Sequence, residues 1–368
     1  MYLLITIISK LLKTSRISIL DGLRVFAILI VIISHYLHKY DLHGNQFLEF
    51  VQNYGYFGVP FFFVISGFVI LYSLETTNSY KDFLKKRYIR LAPGMLICSI
   101  ITFSFFKFIY TGDGYANSKS FANLLIANTF IDPHVFNLPS GTLKYYYIDG
   151  SYWSLWVEVC FYLLIGFLYF KNRQNYIQNF VLICAIGFPI YFILSSSFVH
   201  KFLEPYLSTP TLDYLKLISR CLVLFRECFW FMIGMFLYKL YHDKTDKKYI
   251  LYILICGVIL VLQDKLDIGF SFLTIFTLAI YFTFIYQPKY LNFLTNPIIT
   301  KIGVSSYSIY LIHSYLGLGI IEMYNHHIGR ESYVIYFVMI ISVILFGLFS
   351  YKYLERPISN FIKKILFK

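Results

Sequence analysis

Charge is what this chain lacks. Only 14% of its 368 residues are Asp, Glu, Lys or Arg, against 58% that are hydrophobic. A soluble globular domain carries nearer a quarter charged residues, so that class is excluded. Acidic residues are the scarcest: 19, against 32 Lys and Arg, for a net charge of +13. In a soluble protein such an excess marks a nucleic-acid footprint. At a mean hydropathy of +0.65 it reads instead as basic loops on one side of a membrane, and no nucleic-acid partner is expected. Cysteine offers nothing to a metal. Cys98, Cys160, Cys184, Cys221, Cys228 and Cys256 all fall in apolar stretches without ligand spacing, so they are expected as small core residues and no metal is expected. There is no internal repeat and no low-complexity tract. Residues 1–12 lack a charged start and a small-residue cleavage site, which predicts a short interfacial helix and not a secretory leader.

What the chain has is long apolar runs. Ten predicted spans cover 18–37, 57–73, 89–109, 152–170, 177–196, 217–239, 249–263, 268–286, 302–322 and 333–352. The fold class expected is all-α: a polytopic helical bundle with about ten transmembrane helices and both termini cytoplasmic. That orientation puts 22 of the 32 Lys and Arg on the inner side and 8 on the outer, a clear positive-inside bias. The 39 Phe and 35 Tyr must pack within the bundle and at its interfaces. The longest outer loop, about 110–151, either shapes an acceptor site or is a passive connector.

The first span organises the rest. It opens Asp21-Gly22-Leu23-Arg24 and closes Ser34-His35-Tyr36. Eleven residues turn a helix about 20° past three full turns, so Arg24 and His35 share a face, about 16 Å apart along the axis. Ionisable groups inside a span face a bundle interior or a wet cavity. A cation and a titratable base on one stripe predict a polar cavity crossing much of the membrane.

Other polar groups recur at matching depths. Ser66-Gly67 in the second span offers close helix packing or a buried hydroxyl. Arg87 and Arg90 share a helix face where the third span begins, as a topology signal or as phosphate ligands. The fourth span starts with Trp153 and Trp156 as interface anchors and places Ser154 and Glu158 on one face. Glu158, at a depth similar to His35, is a carboxylate able to orient a histidine base, or a structural polar group. Arg226-Glu227 either lines the cavity or is a self-neutralised pair. His313 in the ninth span is structural or part of the site. Glu355, level with Arg87 and Arg90, is placed to hold their orientation.

Taken in order, these stretches resemble the acyltransferase-3 family of membrane acyltransferases, which modify bacterial surface and periplasmic glycans. The resemblance runs over residues 17–358, within a single domain spanning 1–368. It rests on Asp-Gly-Leu-Arg with a His eleven past the Arg, Phe-Phe-Phe-Val-Ile-Ser-Gly-Phe, Arg-x-x-Arg-x-x-Pro, Trp-Ser-Leu-x-x-Glu, Ser-x-Tyr-x-x-His and Glu-Arg-Pro. It implies a multi-pass protein of the bacterial plasma membrane and an acyl-coenzyme A co-substrate, acetyl in the first instance. The implied acceptor is a glycan or lipid-linked glycan, such as O-antigen or exopolysaccharide, met beside membrane lipid and polysaccharide-assembly machinery. It implies His35 as the essential base, Arg24, Arg87 and Arg90 as coenzyme A contacts, and roles for Ser154 and Glu158. Asp21, Ser66, Trp153, His313 and Glu355 are supporting residues. Pro60 stands where the family often has a polar residue, commonly Asp. No esterase-like extracytoplasmic domain is expected after the membrane part. The rival expectation is a transporter or flippase without covalent chemistry, against which stand the lack of a repeat and of an evident broken-helix pair.

Overall fold

The structure is a computed structural model that describes residues 17–37, 45–329 and 333–367. The expected interfacial helix of residues 1–12, and Lys10, Lys13, Arg16, Lys39, Arg330 and Lys368, lie outside the described residues. Among the described residues every regular element is a helix. The long ones are α1 (Ser18–Leu37), α2 (Gly58–Glu75), α3 (Tyr80–Phe108), α4 (Trp153–Lys171), α5 (Tyr176–Ser195), α6 (Val223–His242), α7 (Lys247–Gln263), α8 (Ile268–Tyr286), α9 (Pro297–His313), α10 (Tyr315–Ile328), α11 (Tyr333–Ser350) and α12 (Arg356–Leu366).

Among the described residues, eight helical segments are long and apolar enough to cross a membrane, and a ninth if α9 and α10 form one span. The α7 helix, at 17 residues, is about 25 Å long. The structure therefore shows the expected polytopic bundle. It differs at three boundaries. The third helix starts at Tyr80, not at 89, because Ser79 caps it by accepting from the Asp82 N–H at 3.1 Å. Arg87 and Arg90 thus ride on the helix itself. The sixth run is broken at Leu222 into a helix of Thr209–Cys221 and α6. The ninth is bent by 57° between His313 and Tyr315. A broken helix is therefore present where none was expected. No Gly or Pro marks the break, and its cause lies in a distant loop, described below.

Helices in lipid are held by close packing more than by expulsion of water. The tightest crossing here is α2 on α6. A Cβ at Gly67 would strike the Phe231 carbonyl, and one at Gly234 the Val64 carbonyl. Beside the crossing, Phe63 and Phe161 stack on Phe231, with ring centroids 4.7 and 4.2 Å away. On the other flank, Gly303 of α9 lies against the backbone of Asp21, which seats α1 at the bundle centre. The six cysteines are free thiols, buried or half-buried, as expected of small core residues.

Gly234→Leu should separate α2 from α6. Overpacking of this kind costs about 1–3 kcal/mol, so the melting temperature of the purified protein in detergent should fall, with Gly257→Ala on α7 as a mild control.

Candidate functional site

Three abutting cavities follow α1 through the bundle. The first opens at the end where α1 begins and is lined by Asp21, Arg24, Arg90, Tyr307 and Glu355. The second is central and is lined by Arg24, Arg87, Arg90, Ser66, Ser154, Glu158 and Tyr310. The third opens at the opposite end and is lined by His35, Pro60, Ser151, Trp153, Arg226, Glu227 and Tyr310, among others. Neighbouring cavities share walls: Arg24, Arg90 and Tyr307 between the first two, Val59 and Tyr310 between the last two. Arg24 and His35 both face this interior path, as their spacing predicts.

At the arginine end, Arg24 donates to Asp21 Oδ1 at 2.6 Å, and both residues are buried. The helical spacing of three makes the pair. Arg87 donates through Nη2 to Ser73 Oγ at 2.9 Å and lies over the rings of Phe83 and Tyr162. Its Nε is buried and meets no hydrogen-bond partner among the described residues. Native proteins seldom leave a buried donor unmet, so this N–H is a natural place for a ligand oxygen. Arg90 is exposed to the cavities. Glu355 is buried at the end of a π-helical turn and accepts from Ser308 and, at 3.0 Å, from Ser350.

Glu158 accepts from Ser66 at 2.8 Å and from Tyr162. The Ser66 hydroxyl therefore has a carboxylate partner as well as a packing role. The expected link from Glu158 to His35 is not what is found. Glu158 lines the central cavity and His35 the outer one. The reason is depth. A 3-10 turn over Gly150–Tyr152 precedes α4, so Glu158 sits further from its helix end than His35, two residues from Leu37, does from its own.

His35 Nδ1 lies 2.9 Å from the Val31 carbonyl oxygen. A carbonyl only accepts, so Nδ1 carries a proton. Its ring meets that of His313 edge-on, centroids 4.9 Å apart. His313 is fully buried, and its Nδ1 donates to the Tyr310 carbonyl at 2.6 Å. The adjacent wall is a hydroxyl cluster: Ser154 and Tyr310 lie 2.8 Å apart, and Tyr310 donates to the Ser151 carbonyl at 2.9 Å.

Two contributors, Tyr310 and Asp149, were not singled out from sequence. Tyr310 stands three residues before His313, one turn along α9, in the run that marked the ninth span. Arg226 and Glu227, 3.4 Å apart, are both an ion pair and part of the cavity wall, so the two sequence alternatives hold together. Asp149 carried no signal. It ends the 110–151 loop, fully buried, and accepts from the Ser151 N–H at 2.9 Å, the Ser151 hydroxyl at 2.7 Å and the Tyr315 N–H at 2.8 Å. It thereby caps α10 and fixes the helix break beside His313. The loop contributes Gly150 and Ser151 to the outer cavity, and much of the rest folds on itself through Asn123 and Asn137. Among the described residues, no group of three or more His, Cys, Asp or Glu has metal-holding geometry.

Comparison with known proteins gives a consistent picture. Residues 17–352 match a family model described as an acyltransferase domain. The chain is 29% identical to the O-acetyltransferase OatA of Staphylococcus aureus over 383 aligned positions, covering 93% of the chain and 57% of OatA. It is 28% identical to an O-acetyl transferase of Shigella phage Sf6 over 165 positions, 43% of the chain and 48% of that protein. The chain thus spans about half the length of the curated relatives it matches. No solved structure matches.

Burial raises the Asp149 carboxyl from its ordinary value to about 6. The native state then binds this proton more tightly than the unfolded chain, so its stabilising effect is present at about pH 4 and is lost as pH rises through about 6. Asp149→Asn should flatten that part of the pH–stability profile in thermal unfolding. It should also lower the melting temperature at every pH, because an amide supplies only one acceptor oxygen to the three N–H and O–H donors.

Proposed function

The chain belongs to the acyltransferase family whose model it matches, and on that premise we propose that it is a membrane O-acyltransferase carrying an acetyl group from acetyl-coenzyme A to a hydroxyl of a bacterial surface or exported glycan. One observation supports this above the others. A central cavity with three guanidiniums and one carboxylate on its walls meets, across Val59 and Tyr310, a cavity that holds the His35 imidazole. The names of the relatives, both O-acetyltransferases, favour acetyl and oxygen.

In this reading the arginine end faces the cytoplasm, where acyl-coenzyme A is made, and the protein sits in the plasma membrane. Arg24, Arg87 and Arg90 bind the coenzyme A phosphates, with the unmet Arg87 Nε taking one oxygen. Asp21 fixes Arg24, and Glu355 shapes the mouth beside Arg90. Glu158, with Ser66, positions Tyr162, the ring on which Arg87 rests. The pantetheine arm covers the axial gap of about 16 Å between Arg24 and His35. A glycan or lipid-linked glycan enters the outer cavity past Trp153. His35 Nε2 removes the proton of its hydroxyl, and the oxygen attacks the thioester carbonyl. The new C–O bond forms as C–S breaks, and the coenzyme A thiolate takes the proton back from the imidazolium. Ser154 and Tyr310, released from the Ser151 carbonyl, donate to the oxyanion. His313 holds the His35 ring edge-on.

The test is incubation of purified protein with radiolabelled acetyl-coenzyme A and surface glycan. Label should pass to the sugar. His35→Ala should cut the rate by about 10²-fold or more while leaving coenzyme A binding intact. Arg87→Ala should weaken coenzyme A binding about tenfold, the loss of a charge-assisted hydrogen bond. Glycan that crosses or binds without gaining label from wild-type protein would defeat the proposal in favour of transport.

A further inference from the structure

The walls of the outer cavity differ from those of the central one in sign. Its ionisable members are His35, Arg226, Glu227 and Asp264. Beside the imidazole, one guanidinium and two carboxyl groups line it. Glu227 is buried on α6, and Arg226 pairs with it while leaving half of its own side chain exposed. Gln263, the last residue of α7, donates weakly to the Arg226 carbonyl at 3.4 Å, but its own side-chain oxygen is buried and makes no hydrogen bond among the described residues. A buried acceptor without a donor, in the wall of a cavity, marks a place for a ligand O–H. Burial first, and then the neighbouring Asp267, raise the Asp264 carboxyl above its ordinary value, with Arg226 and Lys265 acting the other way. Beside these acceptors stands the half-buried Trp153, whose face suits the apolar C–H surface of a sugar ring.

We infer that Glu227, Gln263 and Asp264 form an acceptor subsite selective for neutral, hydroxyl-rich sugars over uronates and sugar phosphates. The inference rests on the reading of this cavity as the acceptor site. The walls supply hydrogen-bond acceptors where a neutral sugar supplies donors. A uronate carboxylate entering the same space faces Glu227 and Asp264, while the Arg226 guanidinium is paired with Glu227. The two ends of the protein then sort their ligands by charge: the polyanionic donor to the guanidinium cavity, the uncharged acceptor to the other.

The experiment compares a neutral gluco-oligosaccharide with the same oligosaccharide oxidised at C6 to the uronate. Both are titrated by calorimetry against the full-length protein in nanodiscs, with radiolabelled acetyl transfer followed in parallel. The neutral sugar should bind at least about tenfold more tightly. Asp264→Asn should narrow that ratio and Arg226→Gln should widen it, each measured below the variant's own melting transition. A merely structural role for these residues would not move the ratio in opposite directions. Equal or tighter binding of the uronate, shifts of one sign in both variants, or binding of neither sugar would overturn the inference. Selective binding of the neutral sugar without label transfer would uphold it and defeat the proposed acyl transfer instead. Transfer that favours the uronate would do the reverse.

Discussion

An apolar bundle tolerates a buried charge only when something answers it, and the Asp21–Arg24 contact of 2.6 Å is where this chain meets that demand first. Both partners come from one turn of α1, so the pair forms as soon as the helix does. The same turn is pressed against Gly303, which sets α1 beside α9. The other carboxylates at this end are engaged differently. Glu158 is satisfied by Ser66 and Tyr162, and Glu355 by Ser308 and Ser350. Hydroxyl groups, not guanidiniums, take up these acids. Among the described residues, Arg87 and Arg90 make no ion pair, and their charge lines the cavity.

The second organising contact is Asp149. One carboxylate ties the end of the long loop to the start of α10, where peptide N–H groups would otherwise point into an apolar interior. The break it stabilises lets His313 end one helix while Ser314 and Tyr315 turn toward the outer cavity. Polypeptide that is irregular at membrane depth survives only where it is buried in protein or faces a wet space. Here it does both.

The fold was legible because its signals are local. Runs of about 20 apolar residues specify helices without help from neighbours, and the eleven-residue interval from Arg24 to His35 specifies a shared face. The arginine cluster was legible for the same reason. Pairings across the bundle were not. Glu158 looked level with His35 because both lie near helix ends, and only the 3-10 turn before α4 shows how far apart they sit. Tyr310 resembled the many other tyrosines until Ser151 and Ser154 closed around its hydroxyl. The break at Ser314 had no Gly or Pro to announce it, since the residue that stabilises it is 165 positions earlier in the chain. The cation–carboxylate doublet of α6 is written in the sequence, but its place on the same wall as His35 follows from the packing of α6 on α2.

The wall of Val59 and Tyr310 has a consequence for the cell. A bundle wet from both faces is in danger of becoming a conduit, through which ions would drain down the electrochemical gradient. Here Tyr310 and Val59 are the side chains common to the central and outer cavities. A partition of one phenol ring and one branched aliphatic group is thin enough for a small reactive group to reach past it, so the packing of these two side chains governs how far the wet spaces at the two ends can join.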